Sequence, residues 1–123
     1  MPWLRPLNCT RDSLNNVIQQ KEKEKDSKAL AEIYGGIYAY FFDSNHKDSA
    51  TSYAIKTENF SLQAGDSARY YFTQVKLGEL SINAYNTEIA KAYYLKALSY
   101  YYRVKNYKML FHVYGSLGNV YSL

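Results

Sequence analysis

Apolar residues recur along this chain at the spacing of an α-helix. The clearest stripe comprises Ile89, Ala90, Tyr93, Tyr94, Ala97, Leu98 and Tyr101. Residues spaced three or four apart share one helix face, so this stripe predicts a helix that packs on a core. The same pattern predicts six helices, at residues 12–24, 27–43, 47–63, 67–83, 87–103 and 107–123. The links between them would be only a few residues long.

The helical pattern repeats every forty residues. Three segments align without a gap: DSKALAEIYGGIYAYF (26–41), DSARYYFTQVKLGELS (66–81) and NYKMLFHVYGSLGNVY (106–121). They begin with the short polar residues Asp26, Asp66 and Asn106. Such residues favour a helix start because their side chains can accept hydrogen bonds from the unpaired backbone N–H groups of the first turn. The intervening segments 46–65 and 86–105 align in the same register.

Short links place consecutive helices antiparallel to one another. Because the resulting hairpin recurs at a fixed offset, we expect the hairpins to stack. The sequence therefore predicts an all-α fold, a solenoid of antiparallel helix hairpins with about six helices over residues 12–123. The chain has only two prolines and six glycines, which favours uninterrupted helices. Residues 1–11 are expected to form a loose leader.

Small and apolar residues mark fixed positions in the unit that starts at Tyr71. They are Leu77, Gly78, Ala90, Tyr94 and Ala97. With Gln74 and Ser81 where Trp and Tyr are usual, the pattern resembles the tetratricopeptide repeat in a long-helix variant. The resemblance covers residues 12–123 and implies a right-handed superhelix. HEAT-like and armadillo-like repeats are weaker alternatives, since they usually show prolines and a different spacing.

Glycines inside the predicted helices require a packing reason. Each costs about 1 kcal/mol relative to alanine in a helix interior. We expect Gly78 to let the next helix approach at Ala90, with the ring of Tyr94 filling the space between units. Gly115 and Gly118 are expected to allow a similar approach.

The resemblance also implies a concave groove, lined by the first helix of each unit, that binds an extended peptide or a partner helix. The candidate groove residues are Glu32, Phe42, Phe72, Lys76, Glu79, Asn83, His112 and Asn119. The apolar members would anchor a ligand by burial, and the polar members would orient it. An exposed side chain without a binding role is an equally simple interpretation of each position.

Charge and cysteine content exclude several classes of protein. The net charge of +4 is mild, and we interpret the lysines of the C-terminal part as a solubilising surface; we do not expect nucleic-acid binding. The only cysteine, Cys9, cannot form an internal disulfide, which favours a cytoplasmic location. No apolar run approaches the roughly 18 residues of a membrane span, and the N-terminus lacks the apolar core of a signal peptide.

The sequence contains no constellation that indicates a reaction. His46 and His112 are the only histidines, and neither has a second ligand at metal-binding spacing. The glycine pairs in YGG and YGSLG fall inside helices, without the strand or the Lys-Ser/Thr pair of a phosphate loop. We therefore predict no catalytic residues, no metal and no cofactor.

We interpret the chain as a non-enzymatic scaffold that binds a protein or peptide partner in the groove. One face of the predicted helix 107–123 carries Tyr114, Leu117, Gly118 and Tyr121, and it is as apolar as the face of an internal helix. Repeat arrays need polar terminal helices. The chain would therefore either belong to a larger signalling or transcription-regulatory protein, as its N-terminal sensor region, or self-associate through this helix.

Overall fold

The computed structural model describes residues 7–83 and 86–122, with side chains at 13–82 and 86–121. It contains six α-helices: α1 (Leu7–Glu24), α2 (Ser27–Asp43), α3 (Lys47–Ala64), α4 (Ser67–Asn83), α5 (Thr87–Arg103) and α6 (Tyr107–Ser122). No strand occurs within the described ranges. The predicted all-α class is confirmed, and α2 to α6 begin at the predicted residues.

The first helix starts earlier than the pattern predicts. It begins at Leu7, whereas the prediction placed residues 1–11 in a loose leader and the helix start at residue 12. Neither proline nor glycine occurs between Pro6 and Gly35, so no residue interrupts the helix as it extends toward the N-terminus. Residues 1–6 of the predicted leader and Leu123 at the predicted end of the last helix lie outside the described residues.

The links between helices share one backbone geometry. Four link residues adopt the left-handed conformation: Lys25, Asn45, Gly65 and Lys105, with φ of 55°, 63°, 71° and 59°. At each of these links, the residue that follows donates its N–H to a carbonyl five positions back, at 2.9–3.0 Å. This bond satisfies a carbonyl that the end of the helix would otherwise leave free. The turn therefore recurs at intervals of twenty or forty residues along the chain.

Two of the predicted helix starts carry the expected cap. The Asp26 Oδ1 atom accepts a hydrogen bond from the Ala29 N–H at 3.1 Å, and the Asn106 Oδ1 atom accepts one from the Met109 N–H at 3.2 Å. These bonds satisfy N–H groups that lack a partner in the first turn of a helix. The left-handed turn and the capped start together fix where one helix ends and the next begins.

The chain forms two compact units, residues 1–67 and 68–123. In the first unit, α2 packs against both α1 and α3. Its core comprises Leu30, Ile33, Tyr34 and Ile37, packed against Leu14, Ile18, Phe41, Tyr53 and Phe60. The Tyr34 ring stacks on Phe60 with centroids 5.7 Å apart, and Phe41 stacks on Tyr53 at 5.6 Å. Aromatic stacking thus joins α2 to α3.

In the second unit, α5 contributes to one core with α4 and α6. The buried residues are Val75, Ala90, Tyr94, Ala97, Tyr101, Leu110, Val113, Leu117 and Val120. The Tyr71 ring of α4 stacks on Tyr100 of α5 with centroids 4.3 Å apart. Within each unit the helices pack in sequence order, which is the arrangement of a helical-hairpin solenoid. The right-handed sense of the superhelix stays a prediction.

The forty-residue repeat extends to the burial of individual side chains. Residues 50–65 and 90–105 show the same alternation of buried, half-buried and exposed side chains at every position. Ala50 and Ala90 are both fully buried. The segments nevertheless differ in chemistry, because Thr57 and Ser61 occupy the buried positions that Ala97 and Tyr101 occupy in the second copy. Equivalent positions therefore have equivalent environments, each within its own unit.

The left-handed backbone conformation in the links predicts how substitutions there change the free energy of unfolding. Replacing Lys105 with glycine should raise the free energy of unfolding by about 0.5–1 kcal/mol, because glycine adopts positive φ without steric strain. Gly65→Ala should lower it by about 1 kcal/mol for the converse reason. Urea unfolding followed by circular dichroism measures both changes. A Lys108→Gly variant, inside α6, is the matched control and should be destabilised.

Two buried tyrosines predict loss of stability at alkaline pH. Burial raises the pKa of Tyr94 and of Tyr101 to about 12, above the ordinary value of 10. Between pH 10 and 12 the unfolded chain would ionise these phenols while the folded chain keeps them protonated. Each should therefore lower the free energy of unfolding by about 1.4 kcal/mol per pH unit in that window, and by nothing below it.

Urea unfolding between pH 8 and pH 11.5 measures this slope. A Tyr94→Phe variant removes one phenol and should show a shallower decline. If that variant and the parent chain lost stability at the same rate, burial of the Tyr94 hydroxyl would not be the cause.

Candidate functional site

Four of the predicted groove residues lie together in the second unit. Phe72, Lys76 and Glu79 are spaced four and three residues apart on α4, so they share one helix face. His112, from α6, contacts the carboxylate of Glu79. We call these four residues the α4–α6 cluster. It joins two helices that are separated by the whole of α5 in the sequence.

The Glu79 carboxylate bridges the two basic side chains of the cluster. Its Oε2 atom lies 3.4 Å from the Lys76 Nζ atom, and its Oε1 atom lies 3.0 Å from the His112 Nε2 atom. The Lys76 ammonium also sits 5.4 Å from the centroid of the Phe72 ring. A cation at this distance from an aromatic ring is attracted to its face. The cluster thus runs continuously from an aromatic ring through a cation and an anion to an imidazole.

The α4–α6 cluster is accessible from solvent. The side chains of Lys76 and Glu79 are 26% and 22% exposed, that of His112 is 48% exposed, and Phe72 is 42% exposed. Ion pairs at this level of exposure contribute little to stability because water and salt screen them. Their main physical effect is to hold the polar atoms at fixed positions beside an exposed aromatic ring.

The other predicted groove residues lie elsewhere. Glu32 is exposed and Phe42 is half-buried, both on α2 in the first unit. Asn119 is exposed on α6, two turns beyond His112. The side chain of Asn83 lies outside the described residues. Four of the eight predicted side chains therefore form one connected cluster.

Helix α6 also exposes a row of large aromatic residues. Phe111 is 80% exposed, and Tyr107, Tyr114 and Tyr121 are between 57% and 64% exposed. The predicted uncovered face is correct for Tyr114, Gly118 and Tyr121 but wrong for Leu117, which is 6% exposed and packs in the core with Val113. A helix turns through about 100° per residue, so Leu117 falls on the inner side while Gly118 falls on the outer side.

The prediction omitted Tyr107 and Phe111 from this face. The sequence contained the signal, because residues 107, 111, 114, 118 and 121 follow the four-three spacing of a single helix stripe. We call Phe111, Tyr114, Gly115, Gly118 and Tyr121 the aromatic–glycine face. At the positions forty residues earlier, Gln74, Val75 and Gly78 of α4 are buried.

The glycines of α4 and α6 differ in their surroundings. A Cβ atom at Gly78 would lie 2.8 Å from Cε1 of Tyr94, whereas a Cβ atom at Gly115 or Gly118 would meet nothing within 4 Å. Gly78 therefore has a close neighbour on the next helix, but that neighbour is the fully buried ring of Tyr94, and the approach at Ala90 stays a prediction. The helix cost of Gly115 and Gly118 is not offset by any such contact among the described residues.

The first unit reverses this arrangement of large and small residues. Tyr38 of α2 is the equivalent of Gly78, and Ala54 of α3 is the equivalent of Tyr94. Both Tyr38 and Ala54 are buried, at 7% and 0% exposure. In each unit one position of the pair carries a tyrosine and the other a small residue.

The described residues contain no group of three His, Cys, Asp or Glu side chains that could hold a metal ion. His46 directly precedes the first residue of α3, and its ring lies edge-on to Phe41 with centroids 6.0 Å apart. Over the same residues, none of the helices has the length and apolar character needed to cross a membrane.

No protein-family model matches the chain, and no curated protein matches its sequence. The resemblance to the tetratricopeptide repeat therefore rests on the residues quoted above and on their burial.

The contact between Gly78 and Tyr94 predicts a coupled response to mutation. Gly78→Ala should lower the free energy of unfolding by about 1–2 kcal/mol, because the buried ring has no space in which to move. In a Tyr94→Leu background the ring is absent, so Gly78→Ala should be neutral or stabilising by up to about 1 kcal/mol. A double-mutant cycle by urea unfolding measures the coupling. Equal effects of Gly78→Ala in both backgrounds would contradict the contact.

Proposed function

We propose that this protein is a non-enzymatic scaffold that binds a peptide segment or a partner helix on the surface of α4 and α6. The proposal rests chiefly on one observation, the α4–α6 cluster. There, an exposed aromatic ring lies beside polar side chains that are held in place across two helices. These residues occupy positions that the resemblance to the tetratricopeptide repeat assigns to a binding groove, and their proximity in the structure supports the proposal.

The Phe72 ring would be the apolar anchor of the surface. Aromatic residues bury a large area at a small cost in side-chain entropy, and they are over-represented among the residues that dominate binding energy. Because 42% of Phe72 remains accessible, a partner side chain can cover the ring without displacing any part of the core. An apolar residue on the partner is therefore expected to pack at this position.

The polar residues of the cluster would orient the bound chain. Lys76 can donate to a carbonyl or carboxylate of the partner, while Glu79 can accept from its amide groups. His112 contacts Glu79 from the adjacent helix, which restricts the carboxylate to one position. Since part of the ordering is already present in the unbound protein, less side-chain entropy is lost on binding.

Burial of the repeat signature supports a rigid platform for this surface. Gln74, Leu77, Gly78, Ala90, Tyr94 and Ala97 are all buried in the second unit, and Ser81 is half-buried. Well-packed positions behind an exposed cluster are what recognition by a preformed surface requires. We therefore propose that the tetratricopeptide-like unit supplies the framework and that the cluster supplies the contact.

Photo-crosslinking in the cell of origin tests the proposed surface. A photoreactive phenylalanine analogue at Phe72 replaces one exposed aromatic side chain with another, so the fold should be retained. Illumination should yield a discrete crosslinked product containing a second polypeptide. Adding Lys76→Ala should weaken partner binding by about 1 kcal/mol or more, a fivefold or greater loss of affinity, which we expect to appear as a reduced crosslinking yield.

The same analogue at Tyr102 is the matched control. Tyr102 is a 73% exposed aromatic residue on α5, outside the α4–α6 cluster, and should not give this product. Identical products from Phe72 and Tyr102, or none from Phe72, would show that the cluster is not the partner-binding surface.

A further inference from the structure

We propose that two copies of this chain associate through the aromatic–glycine face of α6, with the two α6 helices antiparallel. This inference is independent of the peptide-binding surface proposed above. It is based on the surface of α6, where large exposed rings lie next to two glycines. A Cβ atom at either glycine would meet no described atom within 4 Å.

The face is complementary to itself. On α6, two large residues three positions apart, Phe111 and Tyr114, are followed by two glycines three positions apart, Gly115 and Gly118. If a second α6 packs antiparallel to the first, with the two-fold axis passing between Tyr114 and Gly115, Phe111 of each chain lies opposite Gly118 of the other. Tyr114 then lies opposite Gly115. Phe111 and Tyr114 of each chain thus meet a position that has no side chain, and the two surfaces are complementary in the way a symmetric interface requires.

The chain already contains contacts of this type. In the second unit the ring of Tyr94 packs on Gly78, where a Cβ atom would lie 2.8 Å from the ring. Gly118 is the repeat equivalent of Gly78, and it lacks such a ring. In the proposed pair, Phe111 of the second copy supplies it.

The exposed area is sufficient for a specific interface. The most accessible ring, Phe111, is 80% exposed, and Tyr107, Tyr114 and Tyr121 add more than half of a side chain each. Aromatic side chains bury about 150–250 Å² each, so the rings of two copies together would remove on the order of 1,000 Å² from solvent. This reaches the lower limit of specific protein interfaces, about 1,000 Å². We therefore expect a dimer of moderate affinity, with a dissociation constant on the order of micromolar.

The charges on α6 are compatible with antiparallel pairing. The described part of the helix carries no Asp or Glu, and its one lysine, Lys108, lies at the edge of the face. In the proposed register Lys108 is opposite Tyr121 of the second copy, whose ring has the Lys91 Nζ atom of its own chain 4.9 Å from its centroid. The long Lys108 side chain can extend past that ring into solvent. The two copies of Lys108 would be about 20 Å apart along the helix axis, which exceeds the screening length of about 8 Å at physiological salt. A parallel arrangement would instead bring them close together.

Analytical ultracentrifugation of the 123-residue chain tests the association. We expect a mass that rises with concentration from 14.3 kDa toward twice that value. Gly118→Leu should weaken the dimer at least tenfold, because the new side chain occupies the space that Phe111 of the second copy needs. A Cβ atom at Gly118 would meet no described atom within 4 Å, and leucine is a better helix former than glycine. The same variant should therefore keep or raise its helical content and melting temperature as a monomer.

Two further variants keep the test independent of folding. Phe111→Ala removes the most exposed ring and should also weaken the dimer at least tenfold. Tyr102→Ala removes a similarly exposed ring from α5 and should leave the dimer unchanged. A chain that stays monomeric throughout, or a dimer that withstands both Gly118→Leu and Phe111→Ala, would overturn the proposal.

Disulfide trapping tests the antiparallel register. In a Cys9→Ser background, chains with Phe111→Cys are mixed with chains carrying Gly118→Cys and then oxidised. The mixed disulfide should form faster than either homodimer, because residues 111 and 118 are opposite each other whereas the two copies of residue 111 are about 10 Å apart along the axis. Equal rates for all three products would contradict the register.

Discussion

The left-handed residues that follow α1, α2, α3 and α5 set where these four helices end and therefore which side chains each helix presents. Lys25, Asn45, Gly65 and Lys105 close their helices with the same hydrogen bond to a carbonyl that would otherwise be free. Because these residues lie twenty or forty positions apart, the helices that follow them begin at regular intervals of the sequence. The matching burial of residues 50–65 and 90–105 agrees with this spacing, since equivalent residues then occupy equivalent positions on their helices, each within its own unit.

Most of the fold could be predicted because its determinants are local and repeated. Helix starts at Asp26 and Asn106 depend on a short polar side chain that bonds within its own turn. The predicted start of α1, residue 12, differs from the observed start at Leu7. The sequence between Pro6 and Gly35 contains no proline or glycine that would mark where the helix begins. The division into two compact units was also not predicted, since a regular repeat gives no sequence signal for such a boundary.

The candidate site was predictable in position but not in connection. The repeat register assigned Phe72, Lys76 and Glu79 to one exposed helix face, which required only the helical period. The contact between Glu79 and His112 spans 33 residues of sequence, so it depends on how α4 and α6 pack in three dimensions. Leu117 was assigned to the wrong side of α6 because it is adjacent to Gly118, and a difference of one residue, about 100°, changes a helix face.

The reversed placement of tyrosine and small residue in the two units limits how this sequence can change over time. Tyr38 and Ala54 occupy in the first unit the positions of Gly78 and Tyr94 in the second, and all four are buried. Converting one arrangement into the other by single substitutions would pass through either two large residues or two small ones, an overpacked intermediate or a hollow one. The two positions are therefore expected to co-vary in descent, with a large residue at one accompanied by a small residue at the other.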